Sequence, residues 1–189
     1  YPLNLNTYSG DWITNNLKMA YSNSSKLYFA STKYNLTGSS PYIPDKITLQ
    51  VRPYQGSWSI VGNQEFSPTT RSFDVIMENN TSETPVVALV SLSGKVSVMK
   101  PVTSGGTTTW QFIGNPEFAK AYGTKNSHIN IAYNNGIPYV VYMDSDNGYK
   151  LSVKKLIANN WINVGAPGFT DLRAYGDLRL VFEGDVPYV

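Results

Sequence analysis

Apolar and polar residues alternate along this chain in short runs, and the runs recur in a fixed order. "SFDVIM" at 72–77, "HINIAY" at 128–133 and "DLRLVF" at 177–182 put apolar side chains on one face at a period of two. That period predicts a half-buried strand. "NLKMAY" at 16–21 fits the same slot. Next comes a turn rich in Asn and Gly: "ENNTSET", "NNGI" or "EGDV". The following strand often opens on proline: "PVVALV" from Pro85, "PYVVYM" from Pro138, "PYV" from Pro187. "KLYFAS" at 26–31 stands there without the proline, and a third strand then opens on lysine: "KITLQV" from Lys46, "KVSVMK" from Lys95, "KLSVKK" from Lys150. No segment longer than ten residues shows the 3.6-residue apolar period of a helix.

A fourth strand closes each unit and carries a repeated string: "WSIVGNQEF" from Trp58, "WQFIGNPEF" from Trp110 and "WINVGAPGF" from Trp161. The spacings are 110 − 58 = 52 and 161 − 110 = 51. Four short antiparallel strands at this period predict an all-β fold, a β-propeller of four-stranded blades. A sandwich of two sheets gives no reason for three aligned W-x-x-[VI]-G-x-x-x-F strings. In this reading the Trp fills the gap between splayed blades, the Gly allows an unusual backbone turn and the Phe plugs the crossing to the next blade. "DNGYK" at 146–150 occupies the turn that "SGK" fills at 93–95, and Asn147-Gly148 predicts a type I′ hairpin. These strings, with "G-x-P-Y-V-V-Y", resemble blades of bacterial and fungal lectin-like and sialidase-like propellers. The sialidase Asp-box, Ser-x-Asp-x-Gly-x-Thr-Trp, is absent, and "SGGTTTW" at 104–110 matches only its end. Sialidase activity therefore does not follow from the resemblance.

The units close near 58–62, 110–114 and 161–165, and residues 177–189 hold half of another, so residues 1–189 read as a single propeller domain of about three and a half blades. Gly10 lies 52 before Gly62, in register with it. An open ring exposes unpaired edges. Three arrangements satisfy this one. The chain is part of a longer polypeptide, or its N-terminal residues 1–8, with Leu3 and Leu5 alternating, close the last blade, or it pairs with another subunit as an oligomer.

Composition narrows the chemistry. Only 15 % of the 189 residues are charged, against about 25 % in an average domain. Polarity comes instead from Asn, Ser and Thr, beside 14 Tyr and four Trp. The net charge of +2, without a basic run, does not predict nucleic-acid binding. No stretch is apolar enough to predict membrane insertion. No signal peptide is visible, although a mature chain would have lost it. With no cysteine and one histidine, a zinc site or a thiol or Ser–His nucleophile is not expected, and no metal or cofactor is assigned. Asp144 and Asp146 have calcium-loop spacing, but later acidic ligands are missing, and the segment reads as a turn.

Two sets of residues are candidates for a site. The inner strands place Lys18, Asp74, Asn130 and Arg179 in matching slots, a polar ring lining the channel. Glycosidases need two carboxylates, and this slot supplies one. The second set is Trp12, Arg71, Tyr122 and Tyr175, in the loops after the Gly–Phe strings, where aromatic rings and a guanidinium suit a shallow sugar site. Sequons at Asn23, Asn35, Asn79 and Asn80 fit a secreted or cell-surface protein. The expected function is a non-catalytic, lectin-like carbohydrate-binding propeller. The alternatives are a scaffolding propeller that binds surface proteins and a glycoside-hydrolase fragment. Glycans or surface proteins are the expected partners.

Overall fold

The structure, a computed structural model, describes residues 12–35, 44–78, 83–122, 128–173 and 176–189. It is all-β, with no α-helix among the described residues. Strands β1 (Trp12–Tyr21), β2 (Leu27–Asn35), β3 (Pro44–Arg52) and β4 (Ser59–Ile60) form one sheet in chain order. The second holds β5 (Thr70–Met77), β6 (Pro85–Ser91), β7 (Lys95–Ser104) and β8 (Thr107–Phe112), with β9 (Ala119–Lys120) also on β7. The third holds β10 (Ile129–Asn134), β11 (Ile137–Asp144), β12 (Lys150–Ile157) and β13 (Asn160–Asn163). A hairpin of β14 (Val181–Glu183) and β15 (Val186–Tyr188) ends the chain. All ladder pairings are antiparallel.

The core lies between the sheets. Val87 and Leu89 of β6 pack with Ile47 and Leu49 of the first sheet, while Val86, Ala88 and Val90 pack with Ile131 and Val140 of the third. The second sheet is thus covered on both faces, which is why "PVVALV" is continuously apolar where β5 alternates. Each valine so buried contributes roughly 1.5–3 kcal/mol over leaving it in water. On the far side of the third sheet, Val141, Met143 and Val153 meet Leu180 beside the terminal hairpin.

The W–G–F strings form one device used between successive sheets. After the fourth strand the chain leaves the edge of the third strand and returns to it. Val61, Ile113 and Val164 donate backbone N–H to Leu49, Val98 and Val153, and Phe66, Phe118 and Phe169 donate to Ile47, Val96 and Leu151. Inside the detour a hydroxyl from the third strand takes one more amide. Thr48 accepts from Glu65, Ser97 from Glu117 and Ser152 from Gly168. The glycines at the bend have φ of 70°, 70° and 72° at Gly62, Gly114 and Gly165, a region costly for other residues. The next unit's tryptophan then covers the loop. Trp110 donates from Nε1 to the Val61 carbonyl at 2.8 Å and stacks on Phe66, with 3.7 Å between ring centroids. Trp161 does the same with the Ile113 carbonyl at 3.0 Å and Phe118 at 4.4 Å.

Trp58 breaks the series. Its Nε1 is buried and has no hydrogen-bond partner among the described residues. The acceptors of the other two lie 110 − 61 = 49 and 161 − 113 = 48 residues earlier. The same step from Trp58 falls at Ser9 or Gly10, outside the described residues, as does the expected strand at 1–8.

Two expectations need correction. "DLRLVF" does not form a strand over 177–182; β14 begins only at Val181. The ladder runs Val181 to Tyr188, so no β15 residue stands opposite 177–179, and Leu180 instead gives its N–H to the Asn130 side chain. Asn147-Gly148 is not a type I′ turn either. Residues Ser145–Asn147 form a 3-10 turn capped by Asp144, and the left-handed residues are Gly148 and Tyr149. Asp144 outcompetes the two-residue turn by accepting from Asp146 N–H and Asn147 Nδ2.

Candidate functional site

The slot residues of the inner strands meet around one cavity. Lys18 on β1, Asp74 on β5, Asn130 on β10 and Arg179 before β14 all line a space of about 400 Å³. β1 packs against β5 and β5 against β10, so alternation along each strand turns every second residue toward the same space. Asp74 Oδ2 accepts from Asn130 Nδ2 at 2.6 Å and from Ile131 N–H at 3.2 Å. Asn130 Oδ1 accepts from Leu180 N–H at 2.7 Å. Asp74 and Asn130 thus each bond the backbone amide one residue past the next unit's slot, at Ile131 and at Leu180.

Burial pushes the Asp74 carboxyl above its ordinary value of 3.8; the Ile131 N–H, the Lys18 charge, the Val75 N–H and the Asn130 amide pull against it. Lys18 and Arg179 are exposed at the mouth. Asp177 also lines the cavity and lies 3.3 Å from His128 Nδ1. Asp177 was not among the residues expected at the site, although it stands two residues before Arg179, a spacing that shares a face in a strand. The cavity therefore offers a half-buried carboxylate and an amide within, and two cations and an exposed carboxylate at the rim. Its apolar lining is aliphatic, from residues such as Val75 and Leu178.

Of the loop candidates, the side chains of Arg71 and Tyr122 lie among the described residues. Arg71 donates from Nε to the Leu92 carbonyl at 3.1 Å, in the turn between β6 and β7. Tyr122 belongs to the next unit: its N–H goes to Met143 and its ring meets that of Tyr149 edge-on at 4.7 Å. The Arg173 guanidinium lies 4.5 Å from the Tyr122 ring and 4.6 Å from the Tyr149 ring. This trio was only half visible in the sequence, because Tyr149 sits in a turn and Arg173 in a loop with no repeated counterpart. Trp12 opens β1, opposite Asn35, and its side chain lies outside the description, as does Tyr175.

The calcium-like spacing is occupied from within. Asp144 Oδ2 accepts from Ser152 Oγ at 2.6 Å, Asn147 Nδ2 at 2.9 Å and the Tyr142 hydroxyl at 3.4 Å. Burial, with the Asp144 charge beside it, pushes the Tyr142 phenol well above its usual range. No cluster of three metal-ligating side chains is present among the described residues.

No family profile matches the chain, and no curated protein matches its sequence. Among solved structures it is similar to a Trypanosoma rangeli sialidase in complex with sialic acid, at 15 % identity and a TM-score of 0.43, over 79 % of this chain and 27 % of the sialidase. It is also similar to a mutant Aleuria aurantia lectin in complex with Fucα1-6GlcNAc, at 14 % identity and a TM-score of 0.45, over 81 % of this chain and 63 % of the lectin. The chain thus spans less than two thirds of either protein.

Proposed function

We propose that this chain is a non-catalytic, carbohydrate-binding module of β-propeller type, with three four-stranded blades and the inner hairpin of another. The reading rests on one observation, the convergence of the slot residues of four successive units on a single polar cavity. Inner strands that meet at a common space are what a propeller axis requires. The cavity, about 400 Å³, is of a size that takes a small ligand. A carboxylate, an amide, a guanidinium and an ammonium supply the donors and acceptors that sugar hydroxyls need. The site is secreted or displayed at a cell surface, a placement supported by the exposed sequon at Asn23 and by the low charge content.

A glycan array followed by titration calorimetry tests this. Binding that weakens in Lys18→Ala and Arg179→Ala, both exposed positions, is the expected result. Binding to no glycan at high protein concentration ends the proposal. Turnover of aryl-glycosides that disappears in Asp74→Ala would make the module a glycosidase instead. A second reading, a protein-binding module, is favoured by a separate apolar opening at the far end of the chain.

A further inference from the structure

Three loops in this chain share one geometry, and two of them are filled. Trp110 lies on the Gly62–Phe66 loop and Trp161 on the Gly114–Phe118 loop. Among the described residues, none covers the third, from Gly165 to Phe169, in this way. A methyl built on Gly114 would come within 2.6 Å of Trp161 Nε1, and one on Gly62 within 3.1 Å of Trp110; on Gly165 it would meet nothing within 4 Å. Phe66 and Phe118 are partly buried by their indole partners, whereas Phe169 is 46 % exposed. At this place there is an apolar cavity of about 290 Å³, lined by Val153, Val164, Gly165, Phe169, Pro187 and Val189. Its floor is held by the same backbone bonds as the filled pair, Val164 N–H to Val153 and Phe169 N–H to Leu151. The Val164 carbonyl stands in the position of the acceptors at Val61 and Ile113.

We propose that this opening is a docking site for a tryptophan-bearing β-strand of a different protein. The strand adds along β15, which pairs only with β14 among the described residues. Its indole stacks on Phe169 and donates to the Val164 carbonyl. The two filled loops define the occupant: a flat ring with one N–H at its edge, carried on an extended chain. A sugar ring offers a stacking face but not the aromatic sandwich that Phe66 and Phe118 make. The peptide-docking mode is strand addition with one anchoring pocket. The site lies apart from the polar cavity and does not depend on the glycan reading.

The probe is a capped peptide copying residues 107–114, TTTWQFIG, titrated into the full 15N-labelled chain. Amide shifts confined to the surroundings of Gly165, Phe169 and Val189 are expected. Affinity should fall by about tenfold or more in Phe169→Ala and in Ala166→Arg, and vanish when the peptide's Trp is replaced by Ala. Ala166 is exposed, so its replacement blocks the opening without disturbing the core. No shift at about 1 mM peptide, or shifts centred elsewhere, overturns the proposal. So does self-association of the chain that Ala166→Arg abolishes, since a second copy is then the occupant. Binding seen only after removal of residues 1–11 also overturns it, because the chain's own segment then fills the site.

Discussion

The Gly114–Phe118 and Gly165–Phe169 loops invite comparison because they share a backbone path and differ in their cover. Both bends are left-handed, both are pinned to the third strand by the same backbone bonds, and both have a serine hydroxyl holding the amide before the Phe. Only the first is covered by a tryptophan. The tryptophan therefore does not shape its socket. The third strand does, and the indole arrives at a surface already formed. This separates two contributions that a filled loop alone would confound: the local cost of making the bend, and the gain from covering it.

Removing the cover gives the largest contrast. Trp161 is almost fully buried, and Trp161→Ala should cost about 3–5 kcal/mol, whereas Phe169→Ala at the uncovered loop should stay near 0.5 kcal/mol. Urea unfolding measures both, and similar losses would mean that the open loop is covered in solution. Next in size is the pair Gly114→Ala and Gly165→Ala. Both pay about 1–2 kcal/mol for a side chain at positive φ, and Gly114→Ala adds roughly 1–3 kcal/mol for the clash with Trp161 and Leu156. Equal effects would show that the clash relaxes freely.

A finer contrast concerns one hydrogen bond. Trp161→Phe removes a donor from the Ile113 carbonyl and should cost about 1 kcal/mol more than Trp58→Phe, whose indole N–H has no partner to lose. If Trp58→Phe costs as much, Trp58 has an acceptor in solution, and the carbonyl of Ser9 becomes the first place to look.

The smallest effect is one of slope. Because burial raises the Asp74 pKa, the folded chain holds that proton more tightly than the unfolded chain. The group's contribution is fully favourable below its ordinary 3.8 and is lost as pH rises through the folded value. Asp74→Asn keeps an acceptor for Ile131 and cannot ionise. The variant should therefore gain on the parent as pH rises from about 3 to about 7, in paired urea midpoints. A gain in the opposite direction would mean that Lys18 and the hydrogen bonds outweigh burial.

Much of the fold could be read from the chain. The period of two in "SFDVIM" marked an alternating strand, "PVVALV" marked the strand that follows it, and the repeated glycine marked the bend. The site was legible only in part. Lys18, Asp74, Asn130 and Arg179 were grouped by register alone, and they line one cavity. Arg71 and Tyr122 were grouped by a spacing near the repeat, yet each is tied into a turn of its own unit. A repeat places equivalent residues in equivalent settings. It brings them together only at the inner strands, where successive units converge.

The sequence by itself determined most of the strands, their faces and the recurring W–G–F string, because each depends on backbone preference and burial within a few residues; the strand expected at 177–182 and the turn expected at Asn147-Gly148 were not fixed in this way. Only the tertiary structure decided that Asp74 and Asn130 lace neighbouring units together and that, among the described residues, Trp58 lacks an acceptor and one socket of three stands open. Those facts concern groups about fifty residues apart on neighbouring sheets. Whether an indole meets a carbonyl there is set by how the sheets pack, and two strings that share the same Trp, Gly and Phe can end in opposite states.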